Sequence, residues 1–322
     1  MTKRLSFLPP IGVLPQSLQA TLPPGVDLPN DRAAAEDYCR SMARGHYENF
    51  HVATRFLPPQ TRGHATNIYA YCRWADDLAD ESSDPDEALT LLAWWREELL
   101  ESMNGIPRHP VLLALSHTIR ECSLPTEPFC DLLDAFEADQ VKFRYETFEE
   151  LLAYCEKSAN PVGRIFLRIL SIDDPQLDRL SDLTCTGLQL ANHWQDIERD
   201  LRQGRIYIPM EDMRRFGINE EDLAASAAND PTRRLIEFQV DRAVDYLQRG
   251  QDLLNFISGK GRLDIDLFSR GGLAICDAIR NQDHDVLFRR PKLGTFKKVS
   301  LVGGALMRSW FGSKKAKEAS IS

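Results

Sequence analysis

Paired cysteines, long apolar runs and alternating strands are all scarce in this chain, and each shortage closes a class of explanation. The seven cysteines stand singly, with no CxxC and an odd total. That excludes a disulfide framework and points to reduced thiols packed as small apolar residues in a cytoplasmic protein. No stretch approaches the roughly 20 apolar residues that span a bilayer. The opening MTKRLSFLPPIGVLPQ lacks the continuous apolar core and small-residue cleavage site of a secretory signal. Alternating apolar–polar patterns are nearly missing; RIYIP, 205–209, is the only short extended candidate. No GxGxxG opens a helix, and nothing matches a nucleic-acid fold signature.

What remains is acidic and helical. The 322 residues suffice for one large domain or two ordinary ones. Net charge is −9, unevenly spread. From Val286 to Lys317 there are nine basic residues and no acid, leaving 30 basic against 48 acidic residues elsewhere, a net −18. An acidic body argues against nucleic acid as a partner. Residues 1–30, rich in Pro and Gly, are expected to form an extended arm. From Asp31 onward apolar residues recur three and four apart, in stretches that include 62–80, 86–104, 147–172, 176–202 and 231–258. SSDPDE, NGIPRHP, DDPQ and RQGR punctuate them. With no internal repeat or dividing linker, the expectation is one all-α domain over 31–295 with about ten helices. A basic amphipathic tail over 296–322 follows.

The chemistry lies in the carboxylates. YAYCRWADDLADE, 69–81, puts Asp76, Asp77 and Asp80 directly after a buried-looking helical run. NHWQDIERDLRQGRIYIP, 192–209, repeats the device with Asp196 and Asp200. Positions four apart share a helix face, so each pair presents two carboxylates one turn apart. Oxygen-rich pairs of this kind suit Mg²⁺, which keeps some water and bridges to substrate phosphates. A lone DxxxD is more often a solvated helix face. On spacing alone, a metal–diphosphate site and two solvated faces both stay open.

These two segments resemble the aspartate-rich signatures of the squalene/phytoene synthase family. The similarity continues in GHYENFHVA (45–53), LLDAFEADQVKFRYETFEELLAYCEKSANPVGR (132–164), FQVDRAVDYLQRG (238–250) and IRNQDHDVLFRRP (279–291), covering roughly 35–295. The resemblance implies a single isoprenoid-synthase domain of helices around a central cavity. It implies Mg²⁺ held by Asp76, Asp80, Asp196 and Asp200, with Arg73, Gln189, Asn192, Arg205, Tyr207 and Phe50 lining the substrate. Gly204 is expected to end the helix before Arg205 and Tyr207. Arg144 and Tyr145 could close over the diphosphate as Arg205 and Tyr207 do. For Arg73 the competing role is counter-ion to Asp77 or Asp80; for Arg144, a surface salt bridge. His46 is a catalytic candidate from GHYENF, although a lone histidine is more often a satisfied core or surface residue. Trp74 and Trp194 read as packing residues. Many relatives carry a tyrosine where His284 stands, so any role of that tyrosine does not carry over.

Within the family, GHYENF, NxWQD and YCxxSANPVGR look most like bacterial hydroxysqualene synthases, which convert presqualene diphosphate to hydroxysqualene on the route to hopanoids. Where many relatives have small apolar residues, this chain has Ser158 and Asn160 beside Pro161. Tyr154, Ser158 and Asn160 are therefore expected to ring a buried water; the competing reading is that the last two satisfy backbone groups freed by Pro161. The runners-up are presqualene diphosphate, squalene, dehydrosqualene and phytoene synthases, acting on farnesyl or related diphosphates, and a catalytically silent scaffold of the same fold. No NADPH is expected. The tail suggests peripheral contact with the inner face of a membrane; pathway enzymes are further candidate partners.

Overall fold

The computed structural model describes residues 31–46 and 57–294, without the side chains of residues 45, 46 and 260. The expected arm over 1–30, the His46 side chain, Phe50 and the tail over 296–322 lie outside the described residues. Every regular element among those described is helical, as the periodicity predicts. The chain divides into two compact units, Met1–Lys142 with Ile165–Ile172, and Phe143–Arg164 with Asp173–Ser322.

The first unit holds α1 (Arg32–His46), α2 (Pro59–Asp80), α3 (Pro85–Met103), α4 (Pro110–Cys122) and α5 (Glu127–Ala138). Pro59, Pro85 and Pro110 each open a helix, where the missing N–H is not needed and the fixed φ already suits the turn. Asp84 caps α3 by accepting from Glu87 N at 2.9 Å. Inside, α2 packs against α1, α3, α4 and α5. Tyr71, Trp74 and Trp95 are fully buried there, and the Tyr71 hydroxyl donates to Phe129 O at 2.9 Å. His109 caps α4 and packs 4.4 Å from the Trp74 ring.

The second unit holds α6 (Phe148–Ser158), the start of α7 (Asn160–Ile169), α8 (Pro175–Gln195), α9 (Ile197–Arg202), α10 (Met210–Phe216), α11 (Glu220–Leu223), α12 (Asp230–Gly250) and α13 (Gly259–Arg280). A 3₁₀ turn, Gln251–Asn255, follows α12. The broadest contact is α8 on α12. It is close because Gly187 carries no side chain: a Cβ there would meet Leu247 N at 2.9 Å. RIYIP is extended without forming a strand. Ile206 N donates to Phe143 O at 2.9 Å and Met210 N to Tyr145 O at 2.8 Å.

Two stretches that read as continuous helix are broken. The first, 147–172, stops at Ser158 and restarts at Asn160, with Ala159 off helical geometry at φ −125°, ψ −47°. Pro161 supplies the reason, since it lacks an N–H and its ring excludes the carbonyl four residues back. The second, 176–202, breaks at Asp196 (φ −109°, ψ 14°). No proline or glycine lies there. Instead, the side chains of Gln195 and Asp196 are both tied to the segment at Arg290 and Pro291.

Candidate active site

In the first unit, the last turns of α2 carry the carboxylates. Tyr71, Trp74 and Leu78 anchor the buried face. Asp77 is also buried, whereas Asp80, the final residue of the helix, is exposed. Arg73 relieves the crowding: it lies 2.9 Å from Asp76 Oδ2 and closer still to Asp77 Oδ1. Burial alone would lower the Arg73 pKa, but Asp77 and Asp76 raise it, so the guanidinium stays charged. The counter-ion role considered for Arg73 is thus seen, toward Asp76 and Asp77. No basic residue lies in the last turn of α2. The negative end of the helix dipole therefore adds to the carboxylates, an arrangement that attracts a cation.

In the second unit, Asp196 sits at the C-terminal end of α8 and Asp200 on α9. The break does not cancel their spacing, because Asp200 N still donates to Asp196 O at 2.9 Å. Gly204, at φ +75°, turns the chain into RIYIP, and Arg205 N donates to Asp200 O at 2.9 Å. Arg144 supports this turn by donating to Gly204 O at 2.6 Å while pairing with Glu220, the salt bridge anticipated for it. Asp200, Arg205, Tyr207 and His193 line a small pocket.

His193 was not singled out by the sequence reading. It stacks on Tyr207 with centroids 3.8 Å apart, beside Tyr154 and Tyr145. Burial pushes its pKa down to about 3, which keeps the imidazole neutral. Its Nε2 lies 3.3 Å from Gln189 Nε2, so the neutral ring accepts from the Gln189 amide. The four-residue spacing from Gln189 was the available signal. Asn192 is exposed on the same helix.

Tyr154 lies on α6, its ring 5.6 Å from that of Tyr207. One turn on, the Ser158 hydroxyl is buried without a hydrogen-bond partner. Past the break, Asn160 Oδ1 accepts from Thr186 Oγ1 at 3.0 Å. Trp74 and Trp194 are fully buried, as packing residues should be. His284 stands in a left-handed turn at φ 57°.

The donor chemistry fits Mg²⁺ in one particular way. Among the described residues no group of three or more His, Cys, Asp or Glu side chains could hold an ion. Asp76 and Asp80 lie at the negative end of α2 and Asp196 at that of α8, with Asp200 one turn on in the short α9. That suits an ion completing its shell with water and substrate phosphate, not one caged by protein alone.

The squalene/phytoene synthase family model matches residues 43–297. The chain belongs to the squalene/phytoene synthase family. A crystal structure of squalene synthase HpnC from Alicyclobacillus acidocaldarius is 42% identical, covers 79% of this chain and 95% of its own, and superposes with a TM-score of 0.75. A dehydrosqualene synthase in complex with ligand is 25% identical over 88% of this chain and 98% of its own, with a TM-score of 0.79. The 15-cis-phytoene synthase of Synechococcus elongatus is 28% identical over 85% of this chain and 93% of its own length. Family chemistry is head-to-head condensation of prenyl diphosphates, assisted by a divalent metal. Among the described residues no helix is long and apolar enough to cross a membrane.

Proposed function

We propose that this squalene/phytoene synthase family member converts presqualene diphosphate to hydroxysqualene, releasing diphosphate, on a squalene or hopanoid route. Asp76 and Asp80, with Asp196 and Asp200, are the Mg²⁺ ligands in this reading. Arg73, Gln189, Asn192, Arg205, Tyr207 and Phe50 hold the substrate, and His46 is a further catalytic candidate. Mg²⁺ supplies charge that stabilises the departing diphosphate as its carbon–oxygen bond breaks. Arg73 and Arg205 add guanidinium forks suited to phosphate oxygens. Tyr207, stacked on His193, is held where RIYIP closes over the diphosphate.

The observation that carries the hydroxylated outcome is the polar break at Ser158–Asn160. Apolar walls protect a carbocation; an alcohol requires water held by polar groups. The buried Ser158 hydroxyl lies one turn from Tyr154, whose ring packs on Tyr207 of the pocket. Asn160, pinned through Thr186, keeps its amide nitrogen for a second bond.

A second reading is head-to-head synthesis of phytoene, dehydrosqualene, squalene or presqualene diphosphate; the phytoene synthase names of curated relatives and the squalene and dehydrosqualene synthase names of similar structures favour it. The two separate in one assay. Purified protein with Mg²⁺ is given presqualene, farnesyl or geranylgeranyl diphosphate, and products are read by mass spectrometry. Hydroxysqualene from presqualene diphosphate is expected; a C30 or C40 product from the allylic diphosphates alone would instead establish the second reading. A silent scaffold would release diphosphate from none of them. In the same proposal the protein works in the cytoplasm without NADPH. Its catalytic domain runs over 31–295, and its tail over 296–322 contacts the membrane that receives the product.

A further inference from the structure

Arg290 lies in LFRRP, near the C-terminal limit of the described second unit, 94 residues from Asp196 in sequence. Its Nη2 donates to Asp196 Oδ2 at 2.9 Å while its Nε donates to Oδ1, so one guanidinium occupies both carboxylate oxygens. The same Nη2 donates to Gln195 Oε1 at 3.2 Å, and Gln195 Nε2 donates to Pro291 O at 2.6 Å. Two consecutive residues at the α8–α9 break thus grip two consecutive residues of the C-terminal segment. The Asp196 side chain is mostly covered, at 18% exposure, while Arg290 keeps 42%. The arginine is therefore the partner with room to move.

A carboxylate already forked by a guanidinium is a poor cation ligand, because its charge is matched and its lone pairs are engaged. A free cation gains Asp196 only by displacing Arg290. A cation arriving with diphosphate meets a different balance, since the released guanidinium can fork the anion instead. Resting on the proposed metal–diphosphate site, we infer that Arg290 is a positioning residue for Asp196. It holds that carboxylate while no cation is bound and transfers its fork to the diphosphate when substrate and cation arrive together. Cation and diphosphate then strengthen each other's binding, by the same factor in both directions. Arg73 differs in form: its two terminal nitrogens bridge Asp76 and Asp77 instead of forking one carboxylate.

The test is calorimetric and needs no turnover. Mn²⁺ is titrated into the full chain, alone and with inorganic diphosphate, for the native protein, Arg290→Gln and Arg290→Lys. Arg290→Gln is expected to bind Mn²⁺ alone about three- to tenfold more tightly, the range expected of a partly exposed charge pair. The enhancement by diphosphate should shrink by a similar factor. Arg290→Lys, which keeps the charge but not the fork, should fall between. In an Asp196→Asn background Arg290→Gln should change nothing. A merely structural arginine predicts the opposite sign, so unchanged or weaker Mn²⁺ binding with an intact far-ultraviolet spectrum overturns the inference. If Arg290→Gln does not fold, Arg290→Lys decides by the same criterion. A native protein that binds neither Mn²⁺ nor Mn²⁺ with diphosphate refutes the site reading itself, and the inference falls with it.

Discussion

Asp76 and Asp196 each share their charge with an arginine; Arg73 keeps Asp77 when Asp76 is removed, whereas Arg290 loses its fork when Asp196 is removed. Asp76→Ala and Asp196→Ala are expected to lower diphosphate release by about two orders of magnitude or more, the effect of losing several kcal/mol of metal-borne stabilisation. Far-ultraviolet spectra should stay native. Near-normal activity of both variants at saturating Mg²⁺ would remove these residues from the site. A second residue-scale expectation concerns acid. His109 and His193 both have pKa values pushed by burial from the ordinary 6.5 down to about 3. Between those values the unfolded chain takes up protons that the folded one refuses. The stability these groups contribute is therefore complete above about pH 6.5 and lost as the pH falls toward 3. His193→Gln should flatten that acid limb in urea titrations run at several pH values. An unchanged slope would mean that His193 protonates freely in the folded protein.

At the scale of elements, the placing of α8 decides where Gln189, His193 and Asp196 stand. Gly187 sets its distance from α12, so Gly187→Ala should force the helices apart or distort Leu247, costing about 1–3 kcal/mol. Urea denaturation would read the loss; a neutral result would mean that the contact yields easily. The helix starts were legible in the sequence, because Pro59, Pro85, Pro110 and Pro175 with caps such as Asp84 and Asp174 act through local chemistry. The aspartate pairs were legible for the same reason, a fixed four-residue spacing. The break at Ala159 was foreseeable as a distortion at Pro161, but not as a full stop and restart. The break at Asp196 was not legible at all, because it coincides with a partner 94 residues away. His193 escaped notice because burial and stacking on Tyr207 decide its role, and neither is written in local pattern.

For the whole molecule, charge separates the body from its end. Beyond Gly294 the sequence carries Lys297, Lys298, Arg308, Lys314, Lys315 and Lys317 among Phe296, Leu301, Leu306, Trp310 and Phe311. On an anionic surface each basic residue contributes about 1 kcal/mol. Truncation after Gly294 is expected to abolish sedimentation with phosphatidylserine vesicles while leaving turnover of soluble substrate measurable. Equal sedimentation of both forms would count against a membrane role for the tail.

In the proposed reaction the cation left by diphosphate departure is quenched by a water held near Ser158 and Asn160. Isotope labelling follows that water: presqualene diphosphate is turned over with Mg²⁺ in ¹⁸O-enriched water, by the native chain and by Ser158→Val with Asn160→Gly. The native protein should give hydroxysqualene carrying the solvent isotope, and the double variant should shift to unoxygenated hydrocarbon with diphosphate release retained. Unlabelled alcohol, or labelled alcohol made undiminished by the double variant, would contradict it.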